Sequence, residues 1–191
     1  IARSNPHAFW VHASSLGEME QGLPVVEKWR KLYPQQKIIV SFFSPSGFEN
    51  FKHRHLVDAV LYLPLDTPSN AQYFVNTLKP KHALFIKYEI WVNFFKALKK
   101  ANIPLVLAPA VFRSNQVYFK PWAASFFLPV LKNISAIMVQ NQASLNLLQS
   151  KGLKNVSLCG DTRFERAISI STHKLPNTQL QDFLQNKFTL I

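Results

Sequence analysis

The sequence predicts an α/β fold in which a mostly parallel sheet carries helices on both faces. Short apolar runs rich in β-branched residues alternate along the 191 residues with longer amphipathic runs. Most of the short runs are apolar throughout, which is typical of parallel strands buried on both faces. Strands that alternate with helices in this way imply βαβ crossovers. The pattern therefore predicts a Rossmann-like, doubly wound sheet.

The predicted elements follow one another with clear breaks between them. Seven apolar runs are predicted as strands: 9–13, 37–43, 59–63, 83–86, 105–108, 136–140 and 156–158. Helices are predicted at 18–32, 47–53, 69–77, 90–100, 122–131 and 142–150, with two more at 162–169 and 178–186. Pro34, Pro80 and Pro104 separate a helix from the next strand, and Gly152 follows a helix as a capping glycine would.

The domain organisation is predicted from the end of the chain. Residues 1–170 carry the alternating pattern, whereas 171–176 is polar and loop-like. We expect 171–191 to be a linker and the start of a second domain, because an apolar, strand-like run closes the sequence at 187–191. Since the chain begins with Ile1, we interpret it as a fragment of a longer protein.

Composition restricts the possible functions. Hydrophobic residues make up 48% and charged residues 17%, which excludes a disordered chain. The single cysteine, Cys159, excludes an intramolecular disulfide, and we expect it to be a small buried residue. The net charge of +12 predicts an anionic partner, such as nucleic acid, phospholipid head groups or a phosphorylated substrate. No apolar run approaches the length of about 18 residues that spans a bilayer.

The segment after the first strand holds the main catalytic candidate. Ligands of open α/β sheets bind beyond the carboxyl ends of the strands, so the residues that follow each strand are the first candidates for a site. Ser15 and Glu18 match the S-x-x-E capping box at a helix start. Alternatively, Glu18 projects into the cleft as a general base, and Gly17 lets a ligand approach the backbone. The turn lacks the glycine patterns of dinucleotide-binding and P-loop proteins.

Three further segments offer binding candidates. After the second strand, Ser44 or Ser46 caps the next helix, or the amides of Ser46 and Gly47 hold an anion. Asp66, after the third strand, is predicted as a turn or cap residue. Lys87 and Glu89 follow the fourth strand, where two ionisable residues are unusual for a core. Glu89 either interacts with a helix dipole or orients a sugar hydroxyl.

The remaining candidates are basic or aromatic. Arg113 follows the fifth strand, and Arg163, after the seventh, either clamps a phosphate or carboxylate or pairs with a nearby acid. The aromatic stretch 117–127 suits acyl chains or a membrane interface, or it forms an ordinary buried helix. None of the six histidines has the spacing of a metal ligand pair, so we predict no bound metal.

Six motifs in one order resemble the N-terminal domain of the 3-deoxy-D-manno-octulosonic acid (Kdo) transferase family. The most specific is Trp10–Glu18, which resembles W-x-H-A-x-S-x-G-E. The others are Ser44–Gly47 (T-P-T-G in the family), Leu63–Asp66 (L-P-x-D), Glu89–Asn93 (E-[IL]-W-P-N), Gln140-Asn141 and Gly160–Phe164 (G-x-x-[KR]-F). Together the motifs cover about residues 9–166. Lys87, Val92 and the segment around Phe112 depart from the family pattern.

The resemblance implies the acceptor-side half of a two-domain glycosyltransferase of the GT-B type. It implies that Glu18 is the catalytic base and that Kdo passes, with inversion, from CMP-Kdo to the lipid A precursor. The missing C-terminal domain would hold most of the donor, and no cofactor is implied. The expected substrate-binding residues are Ser15, Gly17, Ser46, Gly47, Lys87, Glu89, Arg113 and Arg163.

The expected location and the rival functions follow from the same reasoning. An anionic membrane is the expected partner, at the cytoplasmic face of the bacterial inner membrane, with the protein peripheral or anchored by a further segment. One rival is another GT-B envelope enzyme that uses a UDP-sugar. The other is a basic nucleic-acid-binding module, which the scattered positions of Lys and Arg disfavour.

Overall fold

The computed structural model describes residues 7–87 and 89–160, which form one parallel sheet with helices on both faces. The strands are β1 Phe9–Ala13, β2 Ile38–Phe42, β3 Ala59–Tyr62, β4 His82–Phe85, β5 Leu105–Ala110, β6 Ala136–Val139 and β7 Val156–Leu158. The helices are α1 Leu16–Leu32, α2 Pro45–Asn50, α3 Pro68–Leu78, α4 Val92–Lys100, α5 Pro121–Lys132 and α6 Gln142–Ser150. Single 3₁₀ turns lie at Arg54–Leu56 and Val117–Phe119. The predicted α/β, doubly wound fold is confirmed.

The strand order creates a crevice at the centre of the sheet. The order is β3-β2-β1-β4-β5-β6-β7, and every neighbouring pair is parallel. From β1 the chain adds β2 and then β3 toward one edge of the sheet. It then crosses back through α3, and β4 pairs with β1 on its other side. The connections after β1 and β4 therefore leave in opposite directions. Such a switch point is where open α/β sheets bind their ligands.

The two faces of the sheet are covered by different helices. Side chains of β1 alternate between the faces, so Trp10 and Val11 belong to two separate cores. The core around Trp10 includes residues from α3, α4, α5 and α6, and the core around Val11 includes residues from α1. The inner strands are buried on both sides, which explains why their sequences are apolar throughout.

The helix ends largely match their sequence signals. Gly152 adopts φ +77° and closes α6, with its N–H donating to Gln149 O and that of Leu153 to Leu148 O. Cys159 differs from expectation, because it is exposed at the end of the edge strand β7. The helices predicted at 162–169 and 178–186 and the boundary at residue 170 lie outside the described residues and stay predictions. No helix of the described part is both long and apolar enough to cross a bilayer.

Candidate active site

Ser14, the first residue after β1, joins the ends of three strands. Its backbone N–H donates to Oε2 of Glu18 at 2.8 Å, and its hydroxyl donates to Oε2 of Glu89. Its carbonyl oxygen accepts a hydrogen bond from the N–H of Ser44 at 2.9 Å. The segments that follow β1, β2 and β4 therefore meet at the carboxyl edge of the sheet. The sequence pattern gives Ser14 no role, because Glu89 lies 75 positions away.

Glu18 lies in the first turn of α1 and is half-buried. The hydroxyl oxygen of Ser15, the N-cap residue, accepts a hydrogen bond from the Glu18 N–H at 3.4 Å, which confirms the capping interpretation. The carboxylate reaches back to the N–H of Ser14, and the backbone N–H of Ser15 also acts on it.

The surroundings of Glu18 raise the pKa of its carboxyl above the ordinary value. Burial contributes most, because it penalises the charged form, and the negative charge of Glu89 adds to it. The N–H groups of Ser14 and Ser15 and the charge of Lys87 each lower the pKa of Glu18 by less. A carboxylate with a raised pKa is a stronger base at neutral pH. The ionised Glu18 carboxylate is therefore a better proton acceptor than that of an exposed glutamate.

Lys87 and Glu89 place a cation and a second carboxylate at the same switch point. Lys87 is half-buried and adopts φ +72°, in the left-handed region that a residue with a side chain rarely occupies. Such strain persists where the surrounding structure imposes it, and it is common at functional sites. The charges of both residues act on the Glu18 carboxyl. The structure therefore brings together Glu18, Ser15, Lys87 and Glu89 of the predicted site.

Asp66 fixes the segment that carries Glu89. The N-cap residue of α4, Trp91, makes no side-chain cap. Asp66 replaces the missing cap, since its carboxylate accepts hydrogen bonds from the N–H groups of Asn93 and Phe94 at 3.1 Å. Asn93 in turn donates a hydrogen bond from Nδ2 to the Asp66 carbonyl oxygen at 2.6 Å. The cap role predicted for Asp66 is confirmed, but the helix that it caps is α4 rather than its neighbour α3.

Three buried side chains, Trp10, His12 and Ser41, form a hydrogen-bonded set beneath these residues. Trp10 donates from Nε1 to Ser41 Oγ at 2.8 Å, and His12 Nδ1 lies 3.1 Å from the Ser41 carbonyl oxygen. Burial lowers the pKa of His12 to about 3, so the ring is neutral at physiological pH. His12 and Trp91 pack edge to face with ring centres 5.1 Å apart. This group supports the ends of β1 and β2 from inside the sheet.

The groups of the loop after β2 mainly make contacts within the protein. Ser44 is the N-cap of α2 and accepts the N–H of Gly47 at 3.3 Å, so that amide is already engaged within the protein. Gly47 is buried, and a Cβ at this position would lie 2.4 Å from the Phe42 ring. Close packing therefore requires glycine here. Ser46 is exposed, and its hydroxyl lies 3.1 Å from that of Ser44.

The other predicted binding residues are not brought into hydrogen-bond contact with Glu18. Gly17 is exposed with open space around it, so a ligand can approach its backbone. Arg113 is exposed after β5, and its N–H donates to Gln116 Oε1 at 3.0 Å. Arg163 lies outside the described residues. Within residues 7–87 and 89–160, no three His, Cys, Asp or Glu side chains are grouped as metal ligands would be.

A second notable surface lies on the outer side of α4 and α5. Trp122 and Phe126 are 76% and 52% exposed, and Lys96 Nζ lies 5.0 Å from the centre of the Phe126 ring. Residues 90–160 contain eight Lys and Arg residues and no Asp or Glu. The aromatic helix is therefore only partly buried, and its exposed side carries rings next to cations.

Comparison with known proteins identifies relatives over nearly the whole chain. A family model described as 3-Deoxy-D-manno-octulosonic-acid transferase (kdotransferase) matches residues 1–166. A 3-deoxy-D-manno-octulosonic acid transferase of Rickettsia bellii is 27% identical over 198 residues, which cover 99% of this chain and 45% of the relative. One from Haemophilus influenzae is 30% identical over 141 residues, 73% of this chain and 33% of the relative. The chain spans less than half the length of these relatives.

A solved structure shares the fold at low sequence identity. The UDP-GlcNAc 2-epimerase of Neisseria meningitidis superposes with a TM-score of 0.66 at 15% identity, over 92% of this chain and 52% of that one. Identity at this level shows a shared fold and nothing about the reaction. It agrees with the Rossmann-like sheet described above.

Proposed function

The chain belongs to the Kdo transferase family, and on that basis we propose that the whole protein transfers Kdo from CMP-Kdo to the lipid A precursor. The observation that carries the proposal is the position of Glu18. It is a half-buried carboxylate with a raised pKa at the switch point of the sheet, beside a second carboxylate. The chain would supply the acceptor side of the site, and a following domain would hold the nucleotide.

The proposed reaction is a displacement with inversion. Glu18 takes the proton from a primary hydroxyl of the glucosamine disaccharide onto one of its carboxylate oxygens. The hydroxyl oxygen then forms a bond to the anomeric carbon of Kdo, while the bond from that carbon to the CMP phosphate oxygen breaks. CMP leaves as a phosphate monoester, whose charge basic residues or helix-start amides would stabilise. The proton ends on Glu18 and is released to solvent.

Glu89 and Lys87 have complementary roles in this proposal. The negative charge of Glu89 raises the pKa of Glu18 and so increases its basicity. Its carboxylate, held by the Ser14 hydroxyl, can also orient a second hydroxyl of the acceptor sugar. Lys87 carries a positive charge at the same edge, where it can meet a phosphate of the acceptor. Ser15 keeps the turn in place through the helix cap.

An anionic membrane is the proposed partner surface. Exposed Trp122 and Phe126 lie on a helix next to Lys96, in a stretch of 71 residues, 90–160, without a carboxylate side chain. Aromatic rings combined with cations suit the interface of an anionic leaflet. We therefore propose that the protein works at the cytoplasmic face of the bacterial inner membrane.

The test is Glu18→Gln in the full-length protein, with CMP-Kdo as donor and the lipid A precursor as acceptor. Loss of the base should lower kcat by about 10²–10⁴-fold, because proton abstraction contributes that much. Glutamine can still accept the hydrogen bond from Ser14, so folding should be retained. Glu27→Gln on the same helix is the matched control and should keep normal turnover. Near-normal transfer by folded Glu18→Gln protein would show that Glu18 is not the base.

A further inference from the structure

An open apolar cavity lies at the β3 edge of the sheet. Its volume is about 510 Å³, within the range of about 300–1,000 Å³ typical of ligand pockets. It lies between α2, β3 and α3, and Glu18 is not one of its lining residues. Its walls are mostly apolar side chains, among them Phe48, Leu61, Tyr62, Tyr73, Phe74 and Leu78.

The cavity leaves large apolar side chains in contact with water. Tyr62 and Tyr73 are 44% and 74% exposed, and the Tyr62 ring stacks on Phe48 with centres 4.0 Å apart. β3 is an edge strand that pairs only with β2 in the described sheet, so no further strand covers its other side. Exposed apolar surface of this kind is unfavourable in water and often marks a binding site. The aromatic walls are held in place by stacking.

One cation, Arg54, lies at a rim of the cavity. The Arg54 guanidinium lies 5.3 Å from the centre of the Phe48 ring, and its Nη2 donates to the Phe48 carbonyl oxygen. Arg54 belongs to the basic run 52–55, Lys-His-Arg-His. Glu49 precedes this run, and Asp58, which follows it, is paired with Arg30 at 2.5 Å. The rim therefore favours a ligand that combines an apolar chain with a negatively charged head.

One end of the cavity, at Tyr62 and Asn70, lies at the same edge of the sheet as Glu18. Ala13 of β1 is level with Phe42 of β2, and Phe42 is level with Tyr62 of β3. Neighbouring strands are about 4.8 Å apart, so the backbones at Ala13 and Tyr62 are separated by about 10 Å. One lipid-linked sugar can bridge that distance, with its sugar at Glu18 and a hydrocarbon chain at Tyr62.

We propose that this cavity binds one acyl chain of the lipid acceptor. The inference rests on the proposed function, since it assigns a subsite to the acceptor of that reaction. The apolar walls match a hydrocarbon chain, the cationic rim matches an acceptor phosphate, and the register with β1 places both within reach of the base. The cavity would thus select acylated acceptors over their water-soluble head groups.

The test blocks the cavity in the full-length protein with Thr77→Trp. Thr77 is a half-buried cavity residue on α3, and its neighbour Asn76 is exposed outside the cavity, so Asn76→Trp is the matched control. The acceptors are the lipid A precursor and the same compound with its acyl chains removed. For Thr77→Trp we expect the KM of the acylated acceptor to rise about tenfold, as loss of a few buried methylenes implies. Turnover of the deacylated acceptor should be unchanged in both variants.

A photoreactive acyl chain on the acceptor supplies a readout that needs no turnover. Its adducts on the full-length protein should map to β3 or α3 and fall at least fivefold in Thr77→Trp. Adducts elsewhere, including in 161–191, or adducts and KM unaffected by the substitution, would overturn the proposal. Thr77→Leu replaces Thr77→Trp if the larger side chain unfolds the protein. Adducts in the cavity without sugar transfer by the wild type would overturn the proposed function and leave the lipid site standing.

Discussion

At the residue scale, Glu18 combines a position in a helix-capping motif with the role proposed here for a general base. The Ser15 cap orients the first turn of α1, and the Ser14 N–H holds one carboxylate oxygen. The capping box therefore supports the proposed catalytic role, because it positions a base whose pKa is raised by burial and by Glu89.

The charge of Glu89 leads to a prediction about pH dependence. The proposed reaction needs ionised Glu18, so its rate should fall as the pH drops through the pKa of that carboxyl. Because Glu89 raises this pKa, Glu89→Gln should lower it and move the acid limb of the kcat profile to lower pH. The measurement is kcat between pH 4.5 and 8 for full-length wild type and variant. An acid limb that stays in place or moves upward would contradict the coupling between the two carboxylates.

At the element scale, the start of α4 depends on a residue from another part of the chain. The N-terminal amides of a helix need acceptors, and Trp91 at the N-cap provides none from its side chain. Asp66, 27 positions before Asn93, accepts hydrogen bonds from the first turn of α4. This contact fixes the segment 89–93 and with it the carboxylate of Glu89.

Removal of this long-range cap should weaken the domain. Asp66→Ala is expected to lower the free energy of unfolding by about 1–2 kcal/mol, the usual cost of losing an N-cap. Asp66→Asn should lose less, because the amide oxygen can still accept a hydrogen bond. Urea unfolding of both variants beside the wild type gives the values. Equal stability of all three proteins would show that the cap contributes nothing.

The edge strands show what local patterns leave out. β3 and β7 are short and only partly buried, although their sequences resemble those of the inner strands. Their position at the ends of the sheet explains why Tyr62, Leu158 and Cys159 are exposed. An apolar run predicts a strand, but its neighbours in the sheet determine whether both of its faces are covered.

At the scale of the whole molecule, charge is distributed unevenly along the sheet. The carboxylates of Glu18 and Glu89 follow β1 and β4, whereas the region from α4 to β7 carries only basic charged side chains. A one-signed surface attracts anionic partners and acts most strongly at low salt. The exposed rings on α5 add an apolar contribution at the same surface.

Vesicle binding tests this surface. The full-length protein should bind vesicles rich in anionic phospholipid more tightly than neutral vesicles, and added salt should weaken the binding. Replacing Trp122 and Phe126 together by serine should weaken it about tenfold or more, because two large rings no longer insert. Tyr33→Ser, at the exposed end of α1, is the control. Equal binding to both kinds of vesicle would contradict the membrane proposal.

The sequence by itself determined the order and the approximate limits of the strands and helices. Apolar periodicity, proline breaks and capping residues act over a few positions, so they can be recognised without knowledge of the fold. The motif around Glu18 and the family to which the chain belongs were also recognisable from local patterns, and the family match confirms the latter.

The tertiary structure alone decided which strand ends meet. The crossover through α3 places β4 beside β1, and this contact brings Ser14 to Glu89 and Asp66 to the start of α4. The same topology leaves β3 at an edge and opens the apolar cavity there. Strand order depends on long-range packing of two cores, which the residues of a single element do not encode.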